Sequence, residues 1–298
     1  MSNFFNSKKL LIDGITKLKL SNIPYPELDA RILLSYAINY QNTIYIHNDI
    51  TISKEEKNKF YDCLSKRIKG KPISRIIGSR NFWKNNFLIN EYTLDPRADT
   101  EVIVDVVTKT YGNSSKHFQI LDLGSGSGCI GLSIIDDLKN ASLLSLDICK
   151  NALEQVNLNA KRLNLSKRLH CSQINWFENT WIENIKLITK NEKLFLKNKF
   201  DIIVCNPPYI KSSDIEKLQT EVKNYDPLIS LDGGIDGCDS YRAIFKGLKK
   251  LLSIKGLCYM EIGHDLLEDI KNILKEFNLN LIRVHKDFQG HSRVIEIN

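Results

Sequence analysis

The spacing of apolar positions changes twice along this chain of 298 residues. In the first stretch Leu10, Leu11, Ile15 and Leu18 recur at helical steps. Pro26 stands where the first residue of a second helix would, and Leu28, Ile32, Leu33 and Ala37 continue an apolar face. Ser53 and Glu56 have the spacing of a capping box, with Phe60, Leu64 and Ile68 following at steps of four. Gly70-Lys71-Pro72 closes that helix. Residues 1–80 therefore read as a small helical bundle. Aromatic and alternating residues follow (Phe82, Trp83, Phe87, Ile89, Tyr92 and Leu94), which predicts a β-hairpin linker over residues 81–98.

From residue 99 to 298 strand and helix patterns alternate. The predicted strands are Gln119–Leu123, Ser142–Asp147, Arg168–Ile174, Phe200–Cys205, Gly256–Ile262, Leu281–His285 and Val294–Ile297. Helical patterns cover Asn151–Asn164, Ser240–Leu252 and Asp265–Phe277. Alternation of this kind predicts an α/β domain with a parallel sheet covered on both faces. The short loop between the last two strands predicts an antiparallel pair at one edge. The polar stretch Glu178–Lys199 reads as a surface excursion.

Composition narrows the class without choosing a function. Hydrophobic residues make up 42 % and charged residues 26 %, as in ordinary globular chains. No apolar run approaches the ~18 residues of a membrane span, and the polar start does not read as a signal peptide, so a cytoplasmic location is expected. Seven cysteines are an odd number, no two form a C-x-x-C pair, and most have apolar neighbours. Reduced core thiols are expected, with neither a disulfide frame nor a metal site. The net charge of +7 comes from lysines spread along the whole chain, which reads as a solvated surface.

Candidate chemistry begins at Gly124-Ser125-Gly126-Ser127-Gly128, which directly follows a predicted strand and precedes a helical pattern. Glycines in that position let the chain turn tightly and a ligand approach closely. The next strand ends in Asp147, at the distance of about 20 residues where a carboxylate accepts from ribose hydroxyls. An adenosine-containing ligand is indicated. Gly126, Gly128 and Gly131 formally satisfy a dinucleotide fingerprint. Asp122 and Gly124 extend the run to D-x-G-x-G-x-G, which resembles the first motif of class I methyltransferases and favours S-adenosylmethionine.

A later strand, Phe200–Cys205, ends in Asn206-Pro207-Pro208-Tyr209. Ligands of open parallel sheets bind at the carboxyl ends of strands, which puts this tetrapeptide beside the cofactor. An amide nitrogen is a poor nucleophile because its lone pair is delocalised. An acceptor –NH₂ has two protons to place. The side-chain oxygen of Asn206 can take one and the Pro207 carbonyl the other. Proline keeps the backbone stiff, and Tyr209 offers a flat face. The tetrapeptide alone leaves glutamine, adenine and guanine open as acceptors.

The whole chain resembles the HemK/PrmC family of release factor glutamine methyltransferases. The likeness is carried by Pro24–Arg31, by Ile76-Ile77-Gly78 with Phe82-Trp83, by Asp95–Glu101, and by Asp122–Gly128 and Asn206–Tyr209. It continues through Asp226–Gly237 with Tyr241-Arg242, Glu261-Ile262-Gly263 and Gly290–Val294. The resemblance implies a class I, Rossmann-like domain with a seven-stranded sheet over residues 99–298, preceded by a hairpin linker and a helical domain that docks the protein acceptor. It implies transfer of a methyl group to the glutamine amide of the Gly-Gly-Gln motif of peptide chain release factors, with no membrane and no nucleic acid required. Carried over by position, Gly124, Ser125, Gly126, Ser127, Gly128, Asp147, Trp176 and Asn206 would hold the cofactor. Asn206, Pro207, Pro208 and Tyr209 would hold the glutamine, with Asn206, Pro207 and Tyr209 serving the transfer. Arg97 and Glu101 lie in a motif that borders the site. Asn175 stands before Trp176-Phe177 where the family usually has Asp, and Arg75 where it often has tyrosine. A ribosomal-protein glutamine methyltransferase shares nearly every motif. A DNA adenine N6-methyltransferase shares the tetrapeptide but needs a DNA-reading module, and a non-catalytic adaptor would not need these motifs intact.

Overall fold

The computed structural model describes residues 4–298. The chain divides into two compact units. One is formed by the residues up to Ser79 together with Gln219–Tyr225, and the other by Arg80–Leu218 with Asp226–Asn298.

In the helical unit β1 (Phe4–Asn6) precedes α1 (Ser7–Leu20) and α2 (Pro26–Ala37), and β2 (Thr51–Ser53) leads into α3 (Lys54–Ile68) and the short α4 (Ile73–Ile77). The two short strands pair antiparallel. The expected capping box is present: the Ser53 hydroxyl accepts from the Glu56 amide at 3.2 Å, and the Glu56 carboxylate accepts from the Ser53 amide at 2.8 Å. On α2 the buried stripe is Ala30, Leu33, Leu34 and Ala37, whereas Leu28 is exposed. The i, i+3, i+4, i+7 spacing of that stripe meets α1 and α3, and Leu28 falls off it. Arg67 is buried and pairs with Asp29 at 2.6 Å and with Glu221 at 2.7 Å. The Tyr225 hydroxyl donates to the Lys69 carbonyl at 3.4 Å. The returning segment thus completes a polar cluster that the N-terminal helices begin.

The second unit opens with β3 (Ser79–Phe82) and β4 (Asn85–Leu88), a two-stranded hairpin. It continues with α5 (Glu101–Tyr111), β5 (Phe118–Leu123), α6 (Cys129–Asp137), β6 (Ala141–Asp147), α7 (Lys150–Arg162), β7 (Leu169–Gln173), α8 (Trp181–Asn191) and β8 (Phe200–Cys205). The one-turn α9 (Thr220–Lys223) lies in the returning segment, and α10 (Asp239–Leu251), β9 (Leu252–Glu261), α11 (Leu267–Glu276), β10 (Leu281–Lys286) and β11 (Ser292–Ile297) complete the chain. Seven strands form one sheet in the order β10-β11-β9-β8-β5-β6-β7. Strands β7, β6, β5, β8 and β9 run parallel, and β11 is antiparallel to both β9 and β10. Strands β5 and β8 are buried at every residue, as a sheet covered on both faces requires.

The hairpin packs into the rest of this unit rather than hanging from it. Phe82 and Phe87 join its hydrophobic core. The Asn159 side chain on α7 bonds both the amide and the carbonyl of Leu88 and also the Ser127 carbonyl, at 2.8–2.9 Å. The stretch Glu178–Lys199, expected as a surface excursion, is instead built around α8. Trp181, Ile182 and Ile185 at i, i+1 and i+4 enter the main core, while Glu183, Asn184 and Lys190 face solvent and dilute the apolar signal.

Candidate active site

After β5 the chain moves outward to β6 and β7, then returns to place β8 on the other side of β5. The strand order therefore reverses between β5 and β8, the point where open parallel sheets bind ligands. In register, Leu123 lies beside Cys205 and Leu146, and Cys205 beside Met260. The residues that follow these four are Gly124, Asn206, Asp147 and Glu261. One row at the strand ends thus holds the glycine loop, the acceptor tetrapeptide and two carboxylates.

A cavity of about 550 Å³ opens above this row, a size suited to a small-molecule ligand. Gly124, Ser125, Gly126, Ser127, Asp147, Asn175, Trp176, Asn206 and Pro208 line it. Gly128, Pro207 and Tyr209 do not. Gly128 begins α6, Pro207 is buried, and Tyr209 is half-buried with its hydroxyl turned to Glu261. Three of the glycines, Gly124, Gly126 and Gly128, have positive φ. A Cβ on Gly124 would also come within 3.1 Å of the Trp176 ring, which lies over it. The glycine loop is anchored below, where the amides of Gly124 and Ser125 both donate to the Leu146 carbonyl at 2.9 Å.

Asp147 sits at the rim with one oxygen accepting from the Gly126 amide and the other from the Cys149 amide, both at 2.9 Å. Burial pushes its pKa up, and these two amides hold it partly down. Each oxygen keeps a second lone pair for a ligand hydroxyl. The side-chain oxygen of Asn175 accepts from the Phe177 amide at 3.0 Å, which turns the chain at the rim. Buried Trp176 Nε1 and Ser127 Oγ have no hydrogen-bond partner among the described residues. The site thus offers an acidic group at ribose distance, bare backbone and unengaged polar atoms, which fits an adenosine-bearing ligand.

On the acceptor side Asn206 donates Nδ2 to the Thr100 hydroxyl at 3.2 Å, and its Oδ1 has no partner among the described residues. The Tyr209 hydroxyl donates to Glu261 Oε1 at 3.0 Å. Asp226 accepts from the Asp95 amide at 3.2 Å and pairs with Arg97, which lines the cavity. Glu101 stands further off, where its carboxylate accepts from the Trp83 amide at 2.8 Å. Behind Tyr209 the chain doubles back on itself: the Ile210 amide donates to the Leu231 carbonyl at 2.9 Å and the Gly233 amide to the Ile210 carbonyl at 2.8 Å. A Cβ on Gly233 would come within 2.7 Å of the Tyr209 Cα, so only glycine allows this approach. Leu228, Ile229 and Ser230 from the same return line the cavity mouth.

Known proteins are similar to this chain. Residues 9–78 match the PrmC N-terminal domain, and residues 97–222 the methyltransferase small domain. The chain is 35 % identical over 289 residues to the release factor glutamine methyltransferase of Clostridium acetobutylicum, covering 97 % of this chain and 96 % of that protein. The chain belongs to the release factor glutamine methyltransferase family. It is also 34 % identical over 312 residues to a bifunctional methyltransferase of Rickettsia conorii, of which it spans 57 % of the length. Among solved structures, the hMettl16 catalytic domain in complex with a 3′UTR hairpin superposes with a TM-score of 0.52 at 14 % identity, covering 89 % of this chain and 91 % of that one. At that identity the likeness shows the Rossmann-like methyltransferase fold alone.

Three site residues escaped the sequence reading in their roles. Thr100, Glu261 and Asp226 appear in it only as parts of longer motifs. A signal for Glu261 was present, because it is a lone carboxylate ending the run Cys258-Tyr259-Met260. Thr100 gave none, since a threonine ahead of an amphipathic helix reads equally well as a helix start. Among the described residues no group of His, Cys, Asp and Glu could hold a metal ion, and no helix is long and apolar enough to cross a membrane.

Proposed function

We propose that this protein transfers a methyl group from S-adenosylmethionine to the side-chain amide nitrogen of the glutamine in the Gly-Gly-Gln motif of peptide chain release factors. The observation that carries the reading is Asn206. It stands at the switch point of the sheet, lines the cavity, and keeps its amide oxygen unengaged while its nitrogen is held by Thr100.

Bound S-adenosylmethionine would supply an electrophilic methyl group on a sulfonium. Asp147, the Gly124–Gly128 loop and Trp176 would hold it, with Asn175 at the rim. The chain's own task is to place a weak nucleophile. Asn206 Oδ1 accepts one N–H of the incoming amide, whereas Pro207 is buried away from the cavity and is not placed to accept the other. That contact restrains the amide, and it favours the more acidic N–H group that develops as nitrogen loses its lone pair to the methyl. Orientation of this kind is worth ~7–11 kcal/mol in well-placed systems. No base strong enough to deprotonate the amide beforehand is needed. Leu228 and Ile229, exposed at the mouth, cover apolar parts of the acceptor and exclude water from it.

The test is methylation by the purified protein with labelled cofactor, offering in turn a release factor, ribosomal proteins, DNA and no acceptor. Mass spectrometry then locates the methyl group. Label on the release-factor glutamine is expected. Asn206→Ala should lower turnover by ~10²–10³ while changing cofactor affinity little. Asn206→Asp should retain some activity below that of the parent, because its added charge attracts the sulfonium more in the bound state than at the transition state. Transfer to ribosomal protein or to adenine, or an unimpaired Asn206→Ala variant, would overturn the reading.

A further inference from the structure

A cavity of about 550 Å³ has room for a cofactor and one acceptor side chain, so the body of a protein acceptor must rest on the surface around the mouth. Two apolar side chains stand out on that surface. Ile235 is 93 % exposed, and Phe288 is wholly exposed. A single exposed apolar side chain is ordinary. These two differ because the backbone beneath each is locked. In the turn between β10 and β11 the Asp287 carboxylate accepts from the Gln289 and His291 amides, both at 3.0 Å. It also accepts from Arg293 Nε at 3.2 Å and Nη2 at 3.0 Å. The Asp287 amide donates to the His291 carbonyl and the Gly290 amide to the Asp287 carbonyl, each at 3.0 Å. The loop that carries Ile235 is closed by the Asp239 amide, which donates to the Gly233 carbonyl at 3.0 Å. Within it the Asp236 carboxylate accepts from the Cys238 amide at 3.0 Å and pairs with Arg242.

Contacts tie both turns to the acceptor side of the site. A Cβ on Gly237 would come within 2.5 Å of the Tyr209 carbonyl oxygen and 3.4 Å of Leu266 Cδ1, and a Cβ on Gly263 within 3.1 Å of the same Leu266 atom. His264 follows Gly263, and its ring lies 5.4 Å from that of His291. Strand β11 starts beside the end of β9, with Val294 opposite Glu261. Arg293 then reaches Asp99 at 3.1 Å, next to Thr100 in the cavity wall. Ile235, Tyr209, the two histidines and Phe288 thus lie along one path at the carboxyl end of the sheet. Backbone that is already ordered loses little entropy on docking, and apolar side chains presented in this way make efficient anchors. We propose that Ile235 and Phe288 form a docking ledge for the body of the release factor, outside its glutamine loop, and that they enter apolar hollows on its surface. The inference rests on the release-factor reading above. Ile254 is as exposed as Phe288, but it lies near the start of β9, at the opposite end of the sheet, and supplies a control.

The test compares the parent protein with Ile235→Ser, Phe288→Ser, the double variant and Ile254→Ser. All three positions are exposed, so serine replaces them without opening the core. For each, kcat and KM are measured with an intact release factor and with a short peptide carrying its Gly-Gly-Gln motif, and S-adenosylmethionine affinity by calorimetry. The double variant should raise KM for the intact factor by at least ~10-fold, the scale of losing interface anchors, while its kcat, its KM for the peptide and its cofactor affinity stay within about twofold. Phe288→Leu should keep most of the parent's efficiency, because it keeps an apolar anchor, and Ile254→Ser should match the parent. A double variant with the parent's KM for the intact factor would overturn the proposal. Equal losses with factor and peptide would overturn it too, by showing that the turns support the site rather than dock the acceptor, as would an equal loss in Ile254→Ser. A parent protein that binds S-adenosylmethionine but methylates neither factor nor peptide would remove the release-factor reading and this inference with it.

Discussion

At the scale of single residues, two aspartates on neighbouring strands carry different tasks. Asp147 reaches the cavity and holds two loop amides, so replacing it with alanine would loosen the glycine loop as well as remove a ligand contact. Asp147→Asn is the cleaner probe, because one amide oxygen must now serve where two carboxylate oxygens did. It should weaken S-adenosylmethionine by ~10- to 100-fold, the worth of a charged hydrogen bond, with the fold intact by circular dichroism. Asp122 is wholly buried, accepts from the Gly131 amide at 3.2 Å, and has no partner for Oδ1 among the described residues. Burial pushes its pKa up to about 7, against the pull of the Gly131 amide, and nearby Asp147 adds to the rise. In the unfolded chain it would titrate near ~3.9. The native state therefore binds the extra proton between those values. Its contribution to stability is complete below the lower value and is lost as pH rises through the upper one. Without cofactor, the parent protein should lose stability from about pH 4 to pH 7 relative to Asp122→Asn, by an amount on the order of a few kcal/mol at most. Urea unfolding of both across that range checks it, and parallel profiles would show that Asp122 is ionised in the folded state.

At the scale of elements, the strands of the seven-stranded sheet were legible, whereas the short pair β1–β2 and the helix between β7 and β8 were not. Runs such as Gln119–Leu123 and Phe200–Cys205 are mostly apolar and run into Gly124 or Asn206-Pro207, so their ends fall within one residue of those observed. Helix α8 hides because its buried face is short and its solvent face carries lysine, asparagine and glutamate, the composition of a loop. What identifies it is a partner far away in sequence. Gly247 on α10 faces it, and a Cβ there would come within 2.4 Å of the Trp181 ring and 2.7 Å of Ile182. No local pattern can report such a contact. Gly247→Ala should therefore destabilise the protein by ~1–3 kcal/mol despite the better helix propensity of alanine. Adding Trp181→Phe should recover part of that loss. Denaturant midpoints of the two variants measure it, and a stabilised Gly247→Ala would mean that α8 does not pack there. The site divides in the same way: the glycine loop and Asn206 announce themselves in local sequence, whereas Thr100 and Glu261 acquire meaning only when α5 and β9 are brought beside β8.

At the scale of the whole molecule, the chain crosses between its two units three times, because Gln219–Tyr225 belongs with the helices. Those residues fall between the acceptor tetrapeptide and Asp226, the partner of Arg97. Removing Met1–Lys71 would take away Asp29 and Arg67, and with them the ion pair that holds Glu221. A truncated protein is expected to keep its affinity for S-adenosylmethionine yet methylate even a short glutamine peptide at least ~10-fold more slowly, since small displacements near a reacting centre are expensive. If the helices served only to dock a large acceptor, the short peptide would be modified at the parent rate, and a peptide assay separates the two. The same connectivity bears on synthesis. A ribosome makes the chain from its N-terminus, and domains commonly fold in that order as they emerge. Here the first helices can bury Leu11, Leu33 and Phe60 early, but Arg67 must wait for Glu221 until the glycine loop, four strands of the sheet and the Asn206–Tyr209 tetrapeptide have all been made. The first unit begun is among the last to be finished.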